Sequence, residues 1–242
     1  MPPRLRSLAV AALVGATCTV SHASLLSRAG GAAVFDTELD LTWIVDPHLA
    51  AVENFGVAGI TAIPIPSLPG IHTATMRWDT AMAWLDAMNA HQGSGYLGVN
   101  SWRLPATLQP DASCSNTTPT LSGIVLATGT GCIGSEMGYL RTVEGVSIAS
   151  VPNDPPFTNL GGVSYWSGSE VPVAAAENAA FVYAFNGNGV QGVADKSALH
   201  GAWAVAQGDV LSPVPAPAAV WMFGAGLLAL LGQRKVRRAV KP

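Results

Sequence analysis

The side chains that could carry acid–base, nucleophilic or metal chemistry are scattered along this sequence. Beyond the N-terminal region the histidines are His48, His72, His91 and His200, and none has the HExxH or His-x-x-x-His spacing of a metal site. No Gly-x-Ser-x-Gly segment offers a nucleophilic serine on a strained turn. We therefore expect no catalytic residues and no enzyme. A secreted glycan hydrolase built on an unrecognised carboxylate pair is an alternative.

A second motif with chemical meaning is Gly-x-Gly-x-x-Gly, formed by Gly187, Gly189 and Gly192. It binds a dinucleotide when it opens a helix inside a βαβ unit. Here only about ten residues separate Gly192 from the next strand-like run, too few for such a helix. We interpret the segment as a glycine-rich hairpin turn, and expect no cofactor.

The N-terminal residues have the pattern of an export signal. Arg4 and Arg6 precede an apolar stretch, 8–20, that ends on Ser21-His22-Ala23, where signal peptidase reads small residues. We predict that residues 1–23 are a signal peptide, that signal peptidase cleaves before Ser24, and that the remaining chain lies outside the cytoplasm.

The C-terminal residues predict membrane attachment. Residues 214–232 carry no charge, and a helix of that length would cross a hydrocarbon core of about 30 Å. The end that follows, 234–241, is basic, and positive charge next to a span stays in the cytoplasm. We predict a single transmembrane helix at 214–232, with the domain on the outer side of the membrane.

Pro215-Ala216-Pro217, an apolar segment and a basic end follow one another in that order. Residues 214–242 thus resemble the PEP-CTERM sorting signal of Gram-negative bacteria. The resemblance implies processing by an exosortase-type membrane protease, and then residence at the cell surface or in the exopolysaccharide matrix. Ala216 stands where that family's motif has glutamate.

Composition and cysteines agree with export. The 242 residues include 12 Lys and Arg against 15 Asp and Glu, a balance that offers no basic surface for nucleic acid. With 26 glycines and 17 prolines, the chain should contain many turns. Cys114 and Cys132 remain after signal cleavage, and in an oxidising compartment we predict a disulfide between them. Two thiols alone make a poor zinc site, so no metal site is expected.

Hydrophobic periodicity in the domain, 33–210, predicts short elements. Alternation over 35–43 indicates a strand pair whose wet face carries Asp36, Glu38, Asp40 and Thr42. Residues 56–74 lack periodicity and are predicted as loop. Apolar residues at helical spacing predict a helix over 75–89, capped by Thr75 and stopped by Gly93, and a short second helix from 135. Strands are expected at 165–167, 180–185 and 202–205.

Motifs anchored on tryptophan recur along the domain in a definite order. They are Leu41-Thr42-Trp43, Arg77-Trp78-Asp79-Thr80-Ala81, Trp102-Arg103-Leu104-Pro105, Ser135-Glu136-Met137-Gly138-Tyr139-Leu140, Tyr165-Trp166-Ser167-Gly168-Ser169-Glu170 and Ala202-Trp203-Ala204-Val205. This order resembles the Lcl C-terminal domain family over 33–210. The resemblance implies an α+β fold: a C-type-lectin-like domain of short antiparallel strands with one or two helices, and adhesin-type binding. Ala206 stands where we expect arginine.

Gln109-Pro110-Asp111 matches the calcium-and-sugar tripeptide of galactose-type C-type lectins. Such a calcium ion needs six to eight oxygens, and no second acidic or amide cluster stands on a late strand here. We expect a proline turn, with calcium coordination by Gln109 and Asp111 as the alternative.

These observations predict an exported, non-catalytic binding protein whose ligand is an extracellular polysaccharide. The predicted binding surface is the pair of loops at 106–131 and 186–198, rich in amide and hydroxyl groups. Most tryptophans are expected in the core rather than in contact with sugar. A structural envelope protein without a small ligand is the alternative.

Overall fold

The computed structural model describes residues 25–64, 71–120, 123–148, 156–172 and 178–212. The predicted signal peptide, 1–23, and the predicted sorting tail, 214–242, lie outside the described residues. The described elements are, in chain order, β1 Leu25–Arg28, β2 Ala33–Asp36, β3 Leu41–Ile44, β4 Thr61–Pro64, β5 His72–Thr75, α1 Trp78–Ala90, β6 Asn116–Pro119, β7 Val125–Thr128, α2 Glu136–Thr142, β8 Ser164–Glu170, β9 Ala179–Ala184, β10 Val190–Asp195 and β11 Val205–Gln207.

These strands form four small antiparallel sheets in the described part of the chain. One sheet has the order β1-β2-β3-β11, and a second has the order β10-β9-β8. The hairpins β4–β5 and β6–β7 make the other two sheets. Within each sheet, paired strands are consecutive in sequence, except that β11 returns from the end of the domain to lie against β3.

The fold class predicted from the sequence is wrong as stated. The described residues form mostly small antiparallel sheets with two helices, and neither helix is long and apolar enough to cross a membrane. The longer one, α1, has 13 residues, about 20 Å of helix against a hydrocarbon core of about 30 Å. The predicted transmembrane segment, 214–232, lies outside the described residues. The predicted lectin-like domain with a transmembrane helix is therefore corrected to four small antiparallel sheets and two helices in the described residues.

The predicted strand pair over 35–43 is present as β2 and β3, but the predicted wet face is wrong for two of its four residues. Asp36 and Thr42 are fully buried within the strands, whereas Glu38 and Asp40 are exposed in the turn between them. The Thr42 hydroxyl donates to the Gly208 carbonyl oxygen at 2.7 Å. Asp36 Oδ1 accepts the Leu39 backbone N–H at 3.0 Å, which shapes the turn into β3. Hydrogen bonds therefore compensate for the burial of the Thr42 hydroxyl and of one oxygen of Asp36.

Three local predictions need correction, and others are confirmed. Residues 56–74, predicted as loop, contain β4 and most of β5, which pair as an antiparallel hairpin although their sequence lacks periodicity. Thr75 belongs to β5, and α1 begins after Arg77 without a side-chain cap. The second helix is α2, β8 contains the predicted strand 165–167, and β9 contains all of the predicted strand 180–185 except its last residue. Of the predicted strand 202–205, only Val205 lies in β11.

Tryptophan side chains build the core, as predicted for most of them. Four of them have zero exposure and Trp102 is 3% exposed; the four are Trp43, Trp84, Trp166 and Trp203. Trp203 packs against Trp43 with ring centroids 4.9 Å apart, and its indole N–H donates to the Ile44 carbonyl oxygen at 2.7 Å. Trp78 is partly exposed, and Lys196 Nζ lies 4.4 Å from its ring centroid. Core packing thus occupies most aromatic surface in the described residues.

Substituting Val205, which is fully buried in β11, tests the importance of this strand. Val205→Ala should lower the free energy of unfolding by about 2 kcal/mol, since two methyl groups are lost from a closely packed site. The matched control is Val193→Ala on β10, where valine is 42% exposed and the change should stay within about 0.5 kcal/mol. Urea denaturation of both variants measures the difference, and equal effects would contradict the assignment.

Candidate functional site

Cys114 and Cys132 form the predicted disulfide, which stands at the base of the β6–β7 hairpin. Their Cα atoms lie 4.2 Å apart, with Cys132 fully buried and Cys114 8% exposed. The bond closes a segment of 18 residues that is rich in Ser and Thr. This predicted loop is therefore a covalently closed hairpin.

Gln109, one of the two candidate calcium ligands, is occupied by a backbone partner. Its side-chain oxygen accepts the Ala127 N–H at 2.8 Å, and its side-chain nitrogen donates to the Ala127 carbonyl oxygen at 2.9 Å. The amide thus pairs with β7 as a neighbouring strand would. Its peptide bond to Pro110 is cis.

Asp111, the other candidate ligand, is 3% exposed and holds the loop from inside. Oδ1 accepts the Ser113 N–H at 2.9 Å, and Oδ2 accepts the Gly134 N–H at 3.0 Å. A carboxylate oxygen of Asp111 lies within 4.8 Å of both cysteine sulfurs, a spacing that could suit a metal ion. The two sulfurs, however, are bonded to each other. Calcium coordination by Gln109 and Asp111 stays a prediction. Both side chains already have internal partners in this conformation.

The two loops predicted as a binding surface lie side by side. Gly129 and Gln191 exchange two backbone hydrogen bonds of 2.8 Å, which join the end of β7 to β10. The Gln191 side chain, 1% exposed, reinforces the junction by donating to the Ala127 carbonyl oxygen at 2.9 Å. We call residues 106–120, 123–131 and 186–198 the loop platform.

The Gly-x-Gly-x-x-Gly segment lies in this platform as a hairpin turn, as predicted. It connects β9 to β10, with Gly187 and Gly189 in the left-handed region at φ +56° and +75°. A side chain at Gly189 would collide with the Tyr183 hydroxyl, 2.3 Å from the position of its Cβ. Glycine is therefore required here by the close approach of the hairpin to β9.

The outward side of the loop platform carries uncharged polar groups. Its exposed amides and hydroxyls belong to Asn116, Thr117, Thr118, Asn186 and Asn188. The charged residues of the platform are Asp111, which is buried, and the pair Asp195 and Lys196 at its end. This surface can donate and accept hydrogen bonds without desolvating a charge.

A polar network around His48 was missed at the sequence level. His48 is fully buried; its Nδ1 accepts the Ala74 N–H at 3.1 Å and its Nε2 lies 2.9 Å from the Tyr165 hydroxyl. Because Nδ1 is an acceptor, the proton of the neutral ring is on Nε2 and points at the Tyr165 oxygen. Burial lowers the pKa of His48 to about 4, so the ring is neutral at pH 7.

The neighbouring His72 joins the same region from β5. Its Nε2 lies 3.0 Å from Asp46 Oδ2, while Asp46 Oδ1 accepts the Asn159 side-chain N–H at 3.0 Å. Asn159 in turn accepts the His72 backbone N–H at 3.1 Å. Three distant segments are tied together, which no spacing in the sequence could indicate.

A second missed feature is a set of two carboxylates, Asp36 and Glu144, that each have a buried oxygen although they lie far apart in sequence. Asp36 is fully buried, and within the described residues its Oδ2 has no hydrogen-bond partner. One oxygen of Glu144 is likewise buried without a partner there. Burial, followed by the charges of Asp36 and Glu38, raises the pKa of Glu144 to about 7. Such a group can hold a proton at neutral pH.

Removing the disulfide should loosen the loop platform. The double variant Cys114→Ala/Cys132→Ala should lose about 3 kcal/mol of unfolding free energy, the chain-entropy value for a loop of this size. Urea denaturation of the wild type with and without reductant provides the control, since reductant should reproduce the loss and leave the variant unchanged. Equal stability of all four samples would contradict this expectation.

The buried His48 should make stability depend on pH. An unfolded histidine has a pKa of about 6.5. As the pH falls the unfolded chain is protonated first, so stability is complete above that pH and is lost towards pH 4. Between pH 7.5 and 5 the wild type should lose about 2 kcal/mol more than His48→Gln, which does not titrate there. Comparing the two proteins cancels the contribution of the titrating groups that they share, such as Glu144. Equal dependence of the unfolding free energy on pH in both proteins would contradict the prediction.

Comparisons with known proteins leave the site to be interpreted from its own residues. Family models, curated proteins and solved structures were each searched, and none matches this chain.

Proposed function

We propose that this protein is an exported, non-catalytic binding protein whose ligand is an extracellular polysaccharide. The observation that carries the proposal is the junction of the two loops through Gly129 and Gln191. This junction brings together the exposed amides and hydroxyls of two distant segments, so that one polymer chain can contact both.

The chemistry of the loop platform supports a sugar polymer over other ligand classes. Its outward groups are neutral donors and acceptors such as Asn116, Thr117 and Asn188. These complement sugar hydroxyl groups, whereas nucleic acid or an acidic partner would need a positive surface. A shallow surface of this kind gives weak binding at one site, which display of many copies strengthens.

The proposal of export is supported by the disulfide and by the N-terminal pattern. Disulfides persist in oxidising compartments outside the cytoplasm, and this protein has one between Cys114 and Cys132. Residues 1–23 match a signal peptide that signal peptidase would remove. Processing of residues 214–242 by an exosortase-type protease stays a prediction, and so does residence at the cell surface or in the matrix.

One observation favours a second candidate, a secreted glycan hydrolase. Glu144, with its pKa raised to about 7, resembles the general acid of a glycosidase, and Asp36 is the neighbouring carboxylate. Asp36, however, is fully buried and cannot reach a substrate without a rearrangement. We therefore place binding ahead of hydrolysis.

The test applies the purified full chain, with its disulfide intact, to an array of α-glucans, β-glucans, galactans and uronic-acid polymers. Binding to at least one polymer is expected. The platform variant Thr117→Ala/Asn188→Ala should bind at least about fivefold more weakly, because two exposed hydrogen-bonding groups are lost. Thr158→Ala, an exposed threonine outside the platform, is the matched control and should bind as the wild type does.

Other outcomes of this test separate the alternatives. No binding to any polymer would contradict the proposal and leave a structural envelope protein. Release of reducing ends would indicate a hydrolase. Loss of binding on chelation of calcium, restored by adding calcium back, would assign Gln109 and Asp111 as ligands.

A further inference from the structure

Three tight turns on another part of the surface share an unusual backbone conformation. In each, a non-glycine residue in the left-handed region is followed by a glycine, and a backbone bond closes the turn over three residues. The pairs are Phe55-Gly56, Gln92-Gly93 and Leu97-Gly98, with φ +51° and +82°, +50° and +76°, and +57° and +77°. The closing bonds run from Val57 N to Asn54 O, from Ser94 N to His91 O and from Val99 N to Tyr96 O, at 3.0, 3.2 and 3.1 Å.

This conformation is costly for the first residue of each pair. Left-handed φ is uncommon outside glycine and is mainly tolerated by Asn and Asp, whereas Phe55 and Leu97 are bulky. Such strain persists only where the surrounding structure enforces it, and it concentrates at functional sites. The repetition of the strained pair in one region calls for a common cause.

The common result is an aromatic trio: Phe55, His91 and Tyr96. The Phe55 ring centroid lies 5.1 Å from that of His91 and 5.5 Å from that of Tyr96, both edge to face. His91 and Tyr96 are 6.3 Å apart. All three side chains are partly exposed, while Phe55 contacts the buried Trp84 at 6.1 Å. The trio thus has an inner side on the core and an outer side towards solvent.

Polar groups surround the trio. Burial, followed by the charges of Glu53 and Asp46, raises the pKa of Tyr96. Asn54 and Gln92 are exposed on the adjoining turns. The patch therefore combines aromatic faces with hydrogen-bonding groups at their edge, the combination that fits a sugar ring with apolar C–H faces and polar hydroxyls.

We propose that the trio Phe55, His91 and Tyr96 is a sugar-stacking subsite, separate from the loop platform. An aromatic cage for a methylated cation is disfavoured by the spacing, because rings in direct edge-to-face contact leave no room for a cation between them. The inference rests on the proposed function for its ligand class. It adds that a polysaccharide contacts the protein at two places, one by hydrogen bonds and one by stacking.

The experiment measures calorimetric binding of cellohexaose, maltohexaose, chitohexaose and a β-1,3-glucan hexamer to the full chain. Phe55→Ala should weaken binding of the preferred hexamer about tenfold, whereas Phe55→Tyr, which keeps the ring, should change it less than about twofold. The matched control is Phe35→Ala, since Phe35 is a partly exposed phenylalanine on β2, and it should bind as the wild type does. Tyr96→Phe and its control Tyr139→Phe test the hydroxyl in the same way.

Each outcome decides for or against the subsite. If the wild type binds a hexamer and Phe55→Ala binds it equally well, the subsite is wrong while the proposed function stands. If the wild type binds none of the hexamers, the subsite is wrong, and if it also binds no polymer of the array, the proposed function is wrong too. Should Phe55→Ala fail to fold, ring resonances of Phe55, His91 and Tyr96 in the labelled wild type must shift when the preferred hexamer is added. Unshifted rings, or rings that respond only to tetramethylammonium, would overturn the proposal.

Discussion

The backbone hydrogen bonds of residues 200–207 join sheets that would otherwise be separate. Trp203 lies in this segment, and its indole N–H and ring tie β3 to the core. Backbone bonds of 2.8 to 3.1 Å run from the segment to Met76, Ser164, Trp166, Arg103 and Ile44. A two-stranded hairpin has little stability by itself, so β4–β5 depends on this late segment for its place in the fold. The two larger sheets are also joined through it, from β3 to β8.

Arg103 connects this segment to the loop platform. Arg103 pairs with Val205, and its guanidinium donates to both oxygens of Glu136 at 2.7 and 2.8 Å. Glu136 begins α2, and one of its oxygens also accepts the Ala106 N–H at 2.7 Å, where the platform starts. Arg103 is 37% exposed, so the pair contributes more through its two-point geometry than through its energy. It sets where the platform leaves the core.

Periodicity and aromatic content predicted α2 and β9, although β9 is the central strand of its sheet and is buried on both faces. Periodicity failed at β3, since alternation assigns Thr42 to solvent whereas all four residues of this strand are buried. The disulfide was predictable because only two cysteines remain after the predicted signal. The His48 network and the aromatic trio were not, since each joins segments far apart in sequence and has no characteristic spacing. A phenylalanine or leucine before glycine gives little warning of a left-handed turn, because the residues favoured there are Asn and Asp.

The polar groups of the platform that face inward stabilise its backbone, whereas those that face solvent are available to a ligand. Gln109, Asp111 and Gln191 direct their polar atoms inward, where they hold the backbone of β7 and the neighbouring loop. With the disulfide, these bonds order the platform before any ligand arrives, which lowers the entropic cost of binding. The exposed amides and hydroxyls then contribute little each, because water competes for every hydrogen bond. In the proposed binding mode, a pre-ordered neutral surface gains affinity by repeated contacts along a polymer rather than by one deep site.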